Sequence, residues 1–340
     1  MWKSSVFATL LLASLLFFAR NKDESLVVSH HAKRADSIVL NPLPLLAPSP
    51  QIQTSNAITY TFSGGRFGDN LLAYFHAKWI AYKHRLPFLY KPFPHSDRLA
   101  LHERDSPLGS SFLFGVEATL IDEAQIQASA SSTLFTIPFF PEPSFKNRNN
   151  PFAVDWEDPG FREEMIHCLT PKEPIALFPL PKDRKTVGVH VRRGGGFDSP
   201  AVHYEYPLKF PPDSYYIEQI ERIANLYRNE PLYVFIMTDD PHPEIIAEKY
   251  RKALKNPRLE FDWRKGETGP DQNVLEDFFL IPQFDALILC DSNFSLVASK
   301  ISNGSALIFP VNYAKKKGSV KITRVQLQIS DEISSNRRRS

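Results

Sequence analysis

Cysteine is scarce in this chain: its 340 residues hold only Cys168 and Cys290, alongside three methionines and 14 glycines. Two cysteines cannot build the multi-bridge framework of a small secreted scaffold, nor a cysteine-rich zinc site. His167–Cys168 has no second pair nearby, so no metal ligand set is expected. Cys290 closes the apolar run Ala286-Leu-Ile-Leu-Cys and reads as a buried thiol. A Cys168–Cys290 disulfide stays open. An excess of one charge is also missing, because 40 basic and 38 acidic residues leave +2. With no basic stripe interleaved with aromatics, nothing points to nucleic acid. The runs Lys315–Lys317 and Arg337–Arg339 read as solvated ends or weak contacts with an anionic surface. Repeats are absent. What is present is an ordinary globular balance, 43% apolar and 23% charged, long enough for two domains that each carry a core.

The apolar stretch Val6–Ala19, after Lys3, is shorter than the ~20 residues of a spanning helix. Residues 1–20 therefore read as a signal or a membrane anchor, exported if cleaved and membrane-associated if not. Residues 21–56 contain Asn41-Pro-Leu-Pro-Leu-Leu-Ala-Pro-Ser-Pro50, which reads as an extended stalk. The folded body is expected as an N-terminal domain over 57–182 and a C-terminal domain over 183–325, with a polar tail over 326–340.

In the first half, Ile58–Phe62 reads as a strand, Gly64–Gly68 as a turn and Asp69–His84, with Leu72, Phe75, Ala77, Trp79 and Ile80 at helical spacing, as a helix. Pro87–Tyr90 and Thr133–Pro138 read as further strands. The second half alternates more clearly. Strands are predicted at Thr186–Val191, Leu232–Met237, Ala286–Cys290 and, last, Ser305–Pro310; helices at Asp213–Leu226, Glu244–Leu254, Val274–Ile281 and Asn293–Ser302. Asp213 reads as the cap of its helix. This alternation predicts a doubly wound parallel sheet.

Open α/β sheets bind ligands at the carboxyl ends of their strands. His190-Val-Arg-Arg-Gly-Gly-Gly196 leaves the first strand of the second half. Arg192 and Arg193 offer planar donor forks suited to phosphate oxygens, and a surface arginine pair on a glycine turn is the plain alternative. Alternation puts His190 on the same side as Arg192, where it is expected to orient the arginine. Asp239 and Asp240 end the second strand, as an orienting pair or as carboxylates able to hold a divalent metal. Asp291-Ser-Asn-Phe-Ser295 opens a helix, so Ser292, Asn293, Phe294 and Ser295 form either an anion site or an ordinary cap. Gly65, Arg66, Gly68, Asp69 and Asn70 make another strand-to-helix turn.

These stretches resemble, in order, the motifs of the bacterial α-1,2-fucosyltransferases and, more loosely, the protein O-fucosyltransferases. The matching segments are Gly65-Arg-Phe-Gly-Asp-Asn70, His190-Val-Arg-Arg-Gly-Gly195, Pro212-Asp-Ser-Tyr-Tyr216, Thr238-Asp-Asp240 and Glu276–Pro282 with Asp291–Ser295. The resemblance implies an α/β, GT-B-like fold of two Rossmann-like lobes with a cleft between them. It implies GDP-fucose as donor, a glycan acceptor, inversion without metal, and no further cofactor. Arg192 would grip the β-phosphate, and Ser292, Phe294 and Ser295 would help hold the nucleotide. The sequence departs from the family at Asp69, where the family has Asn, and at Gly195, where it has Asp. Asp69, Asp198 and Glu205 are candidates for the catalytic base.

Overall fold

A computed structural model describes residues 51–52, 55–109, 112–129, 132–139, 153–194, 200–228, 230–266, 269 and 271–330. The segment 1–20, most of the stalk, Gly195, Gly196, Asp198 and the end of the tail lie outside the described residues.

The first half builds a small parallel sheet in the order β1 (Ala57–Tyr60), β3 (Thr133–Ile137), β2 (Val116–Thr119). Between β1 and β2 runs α1 (Phe67–His84), and α2 (Pro159–Cys168) closes this half with Asp158 capping its first turn. α1 forms as its helical spacing predicted, starting two residues earlier, at Phe67. Its residues are buried nearly all round from Phe67 to Ala81. Even Lys78 is enclosed, its Nζ 2.6 Å from Asp105 and 3.0 Å from Glu164. A buried ammonium needs such partners, because desolvation without them is costly.

The second half is a six-stranded sheet in the order β6-β5-β4-β7-β8-β9, parallel throughout except for the last pair. Its strands are β4 (Lys185–Val191), β5 (Leu232–Thr238), β6 (Leu259–Trp263), β7 (Ala286–Ile288), β8 (Ala306–Lys316) and β9 (Ser319–Ile329). The helices between them are α3 (Pro200–Glu205), α4 (Asp213–Leu226), α5 (Pro243–Leu254), α6 (Val274–Leu280) and α7 (Asn293–Ser299). β4 places Val187, Val189 and Val191 into one apolar cluster, with Tyr216, Ile220 and Ile223 of α4. The opposite face of the sheet supplies Phe235, Leu287 and Phe309 to a second cluster that also contains α1 and α7. That cluster takes residues from both halves, while the other is built by the second half alone. Cys168 and Cys290 are both buried free thiols, which closes the disulfide alternative.

Three expectations change. β6 was hidden in the alternation Leu259-Glu-Phe-Asp-Trp263. The supposed last strand runs on from Ala306 to Lys316 and returns as β9, past the boundary expected at 325, so Lys315–Lys317 forms a hairpin tip. Asp213 does not cap α4, whose cap position is Pro212. Its carboxylate instead accepts from Lys249 Nζ at 2.5 Å, from Tyr250 Oη at 2.8 Å, and from Arg193.

Burial opposes ionisation of Asp213, but Arg193, Lys249 and Tyr250 outweigh it and hold its carboxyl below the usual range. A depressed folded value contributes stability above the unfolded carboxylate range of about 4, and that stability is lost as pH falls through the folded value. Asp213→Asn is expected to cost about 1–3 kcal/mol at neutral pH. Thermal melts of variant and wild type should converge as pH drops below about 4; a gap independent of pH would refute this assignment.

Candidate functional site

The strand order places β4 beside β7, with sequence running outward to β5 and β6 on one side and to β8 on the other. This reversal is a topological switch point, where the loops leaving neighbouring strands part and leave a crevice. A cleft of about 240 Å³ opens there. Its second-half wall includes His190, Arg192, Asp239, Ser292, Asn293 and Phe294, and its first-half wall Gly65–Asn70, Pro94 and His95.

Two glycines allow close contacts at the cleft, Gly65 within the first-half turn and Gly68 across to the second-half wall. A Cβ on Gly65 would lie 2.1 Å from Asp69 Oδ2, and one on Gly68 would lie 2.5 Å from the backbone N of Phe294. The ends of α1 and α7 are thus in backbone contact. Across the seam, Asn293 Nδ2 donates to Asp69 Oδ1 at 2.6 Å. Phe294 fills the gap beside Phe67 and Phe278, with ring centroids 6.4 and 5.6 Å away. Ser292 holds the cap position of α7 without a side-chain cap bond.

Arg192 is half-buried in the cleft wall. Its Nη1 donates to Ser292 Oγ at 3.4 Å, its Nε is buried without a partner, and its guanidinium stands 5.8 Å above the Phe210 ring. Among the described residues no carboxylate pairs with it, nor with Arg66. Burial, and then the charge of Arg192, hold Arg66 below its ordinary value. The same two causes depress Lys209, whose Nζ lies 5.9 Å from the Phe210 ring. Three cations are therefore gathered here, their mutual repulsion offset in part by the nearby Asp69, Asp239 and Asp271, and a bound anion would relieve the rest.

His190 lies beside Arg192 as alternation predicted, but its recorded partner is Cys290, with Nδ1 3.6 Å from Sγ. Burial first, with Arg192 adding to it against Asp239, lowers the imidazole to about 4, so it is neutral at pH 7. Asp239 accepts from the backbone N–H groups of Arg193 at 2.6 Å and of Gly194 at 3.4 Å, which fixes the turn that presents Arg192.

Three predicted residues do not line the cleft. Arg193 is turned to Asp213. Asp240 accepts from the His242 N–H at 2.8 Å and shapes the start of α5. Ser295 is fully buried and donates to the Ser292 carbonyl. The two carboxylates of Thr238-Asp-Asp240 thus serve separate backbone turns. Of the base candidates, Asp69 is in the cleft but engaged by Asn293, Glu205 is exposed on α3, and Asp198 is outside the described residues.

Sequence reasoning missed His95, Asp271, Gln272 and Asp277 on the walls, and Lys209 behind them. Asp277 is paired with Arg264 at 2.5 Å. His95 sits in the left-handed region at φ 68°, an uncommon state for a non-glycine residue. Pro94 ahead of it was the one available signal of a turn there.

Fold and site together define a mixed α/β protein with two guanidinium groups, in no ion pair among the described residues, facing the switch-point cleft of a doubly wound sheet. The sequence matches no protein-family profile and no curated protein sequence. Among solved structures the chain is similar to a mutant of Arabidopsis thaliana FUT1 in complex with GDP, with a TM-score of 0.48 and 13% identity over 81% of this chain and 73% of that one. It is similar to fucosyltransferase NodZ from Bradyrhizobium, with a TM-score of 0.41 and 13% identity over 82% and 99%. The iron-containing dodecameric glycosyltransferase TibC from enterotoxigenic E. coli has a TM-score of 0.35 and 14% identity over 76% and 60%.

Proposed function

We propose that this chain is a glycosyltransferase that moves fucose from GDP-fucose to a glycan hydroxyl, with inversion and without a metal. One observation carries the reading: Arg66 and Arg192, from different halves of the fold, face one cleft without a carboxylate partner among the described residues. In the reaction the acceptor hydroxyl gives up its proton to a base or to water as its oxygen attacks the sugar carbon from the side opposite the phosphate, the sugar–phosphate bond breaks, and its electrons leave with GDP. Fixed cations stabilise that developing charge without reorganising during the step. The ordered motif resemblance, from Gly65-Arg-Phe-Gly68 to Asp291–Ser295, supports GDP-fucose as the donor. Residues 1–20 would tether the enzyme to a membrane or direct its export; among the described residues no helix is long and apolar enough to cross a membrane.

Thermal-shift measurements with GDP, GDP-fucose, UDP and ADP test the donor. Stabilisation by the two guanine ligands alone is expected. A response to UDP or ADP instead would replace the donor, and activity lost in EDTA but restored by Mn²⁺ would replace the metal-free mechanism. GDP binding without transfer to any acceptor would make the protein a non-catalytic nucleotide-sugar-binding module.

Asp69 offers a second test. Its carboxylate accepts from Asn293 on the wall that would receive a diphosphate. Asp69→Asn preserves an acceptor oxygen for Asn293 and removes a like charge, so GDP affinity is expected to rise about fivefold, or ~1 kcal/mol. Calorimetry with GDP reads the change. Weaker binding in that variant would show that the carboxylate contacts the ligand favourably.

A further inference from the structure

From Ser292 to Ser330 the sequence contains no aspartate or glutamate, where its overall composition would place about four. The same stretch carries Lys300, Lys315, Lys316, Lys317, Lys321 and Arg324. All but Lys300 lie on the β8–β9 hairpin, are exposed, and have no ion pair among the described residues.

The hairpin reaches toward the cleft side of the sheet. β8 pairs with β7 only from Ala306 to Ile308. Because it runs parallel to β7, the remaining eight residues extend about 26 Å past the carboxyl end of that strand, at ~3.3 Å each. Lys317 and Gly318 both have positive φ, 45° and 78°, as a two-residue turn of a right-twisted ribbon requires. The tip rests on α3, with Lys315 Nζ 4.5 Å from the Tyr204 ring. The neighbouring His203 has Nε2 2.7 Å from the carbonyl oxygen of Arg193, next to Arg192.

Register sorts three of the hairpin cations onto one face, while Lys315 shares the face of Tyr313. Tyr313 and Ile322 are cross-strand partners that pack into the cluster with α4. The opposite face carries Lys316 opposite Ser319 and Lys321 opposite Ala314; past a register shift at Asn312 it takes Arg324 as well, whose neighbour Val325 turns to the α4 cluster. It continues the side on which Leu307 and Phe309 meet the core of α1 and α7, the helices whose first turns line the cleft. Small or polar partners leave the three cations in a row, Lys316 and Lys321 as diagonal neighbours about 7–8 Å apart and Arg324 farther along β9.

We propose that this face binds an acidic polysaccharide, a chain bearing carboxylate or sulfate groups, and leads it to the cleft as acceptor; the acceptor role rests on the glycosyltransferase reading, the binding does not. A linear polyanion can follow a row of cations and bend into a crevice beside its end. A flat anionic bilayer against the same face would lie across the α1–α7 side and cover the cleft through which the donor must pass.

The experiment uses the full chain, with polygalacturonate and neutral dextran of matched length as probes, and vesicles containing phosphatidylserine as the competing surface. Polygalacturonate is expected to bind, dextran to fail, and binding to weaken at least tenfold both between 50 and 300 mM NaCl and in Lys316→Glu/Lys321→Glu/Arg324→Glu. The exposed triple variant should keep the wild-type thermal shift with GDP. Equal binding of polygalacturonate by variant and wild type, no binding by wild type, or vesicle binding without polygalacturonate binding would overturn the proposal. Polygalacturonate binding with no response to GDP would leave this surface standing and remove the donor reading.

Discussion

Arg192→Ala is expected to lower transfer and donor hydrolysis by about 10²–10³-fold, a loss of roughly 3–4 kcal/mol of transition-state stabilisation. Stability should change by no more than about 0.5 kcal/mol, as for changes that break no buried pair. The asymmetry follows from how the side chain is held. Its recorded hydrogen bond is a long one to Ser292 Oγ, its Nε has no partner, and no described carboxylate neutralises it. Removing it therefore orphans no buried charge. Arg192→Lys restores charge without the planar fork and should recover only part of the activity. Single-turnover rates with GDP-fucose, beside calorimetry with GDP and a melt, check all three points. Turnover unchanged in the alanine variant would end the assignment of this group.

Gly68→Ala is expected to damage stability and binding together. The added Cβ would come within 2.5 Å of the Phe294 backbone N and 2.6 Å of its Cα, neither of which can swing away as a flexible side chain can. The first turns of α1 and α7 must separate, at a cost of about 1–3 kcal/mol for overpacking, which lowers the melting temperature by several degrees. Separation also stretches the Asn293–Asp69 bond across the cleft. GDP affinity should fall at least tenfold. Gly109→Ala is the control, since nothing lies within 4 Å of its Cβ position. A Gly68→Ala variant that melts like wild type and keeps GDP affinity would show that the walls do not need this contact.

What could be read from the sequence was local. α4 forms over Asp213–Leu226 as its periodicity predicted, and β4 and β5 differ from the expected strands by a single residue at an end. Arg192, Asp239, Ser292, Asn293 and Phe294 were found because each leaves an apolar strand, and strand ends face a sheet's crevice. The failures involve partners distant in sequence. Arg193 and Arg192 are adjacent and chemically equal, but Asp213, Lys249 and Tyr250 draw one of them into a separate network. His95 and Lys209 sit in proline-broken segments with no periodicity to place them. β9 was hidden because the exposed Lys321, Thr323 and Arg324 obscure the alternation of an edge ribbon.

The amino-acid order by itself determined that a doubly wound α/β sheet would form in the second half, and that arginine, acid and hydroxyl groups would stand at its strand ends. Side-chain period and backbone propensity act over a few residues, so such features survive without knowledge of the rest of the chain. Only tertiary structure decided which of those groups share a cleft, which are used up in ion pairs, and that both halves pack through one core around α1. Those outcomes depend on contacts between residues a hundred or more positions apart, such as Arg192 with Ser292 and Asp69 with Asn293.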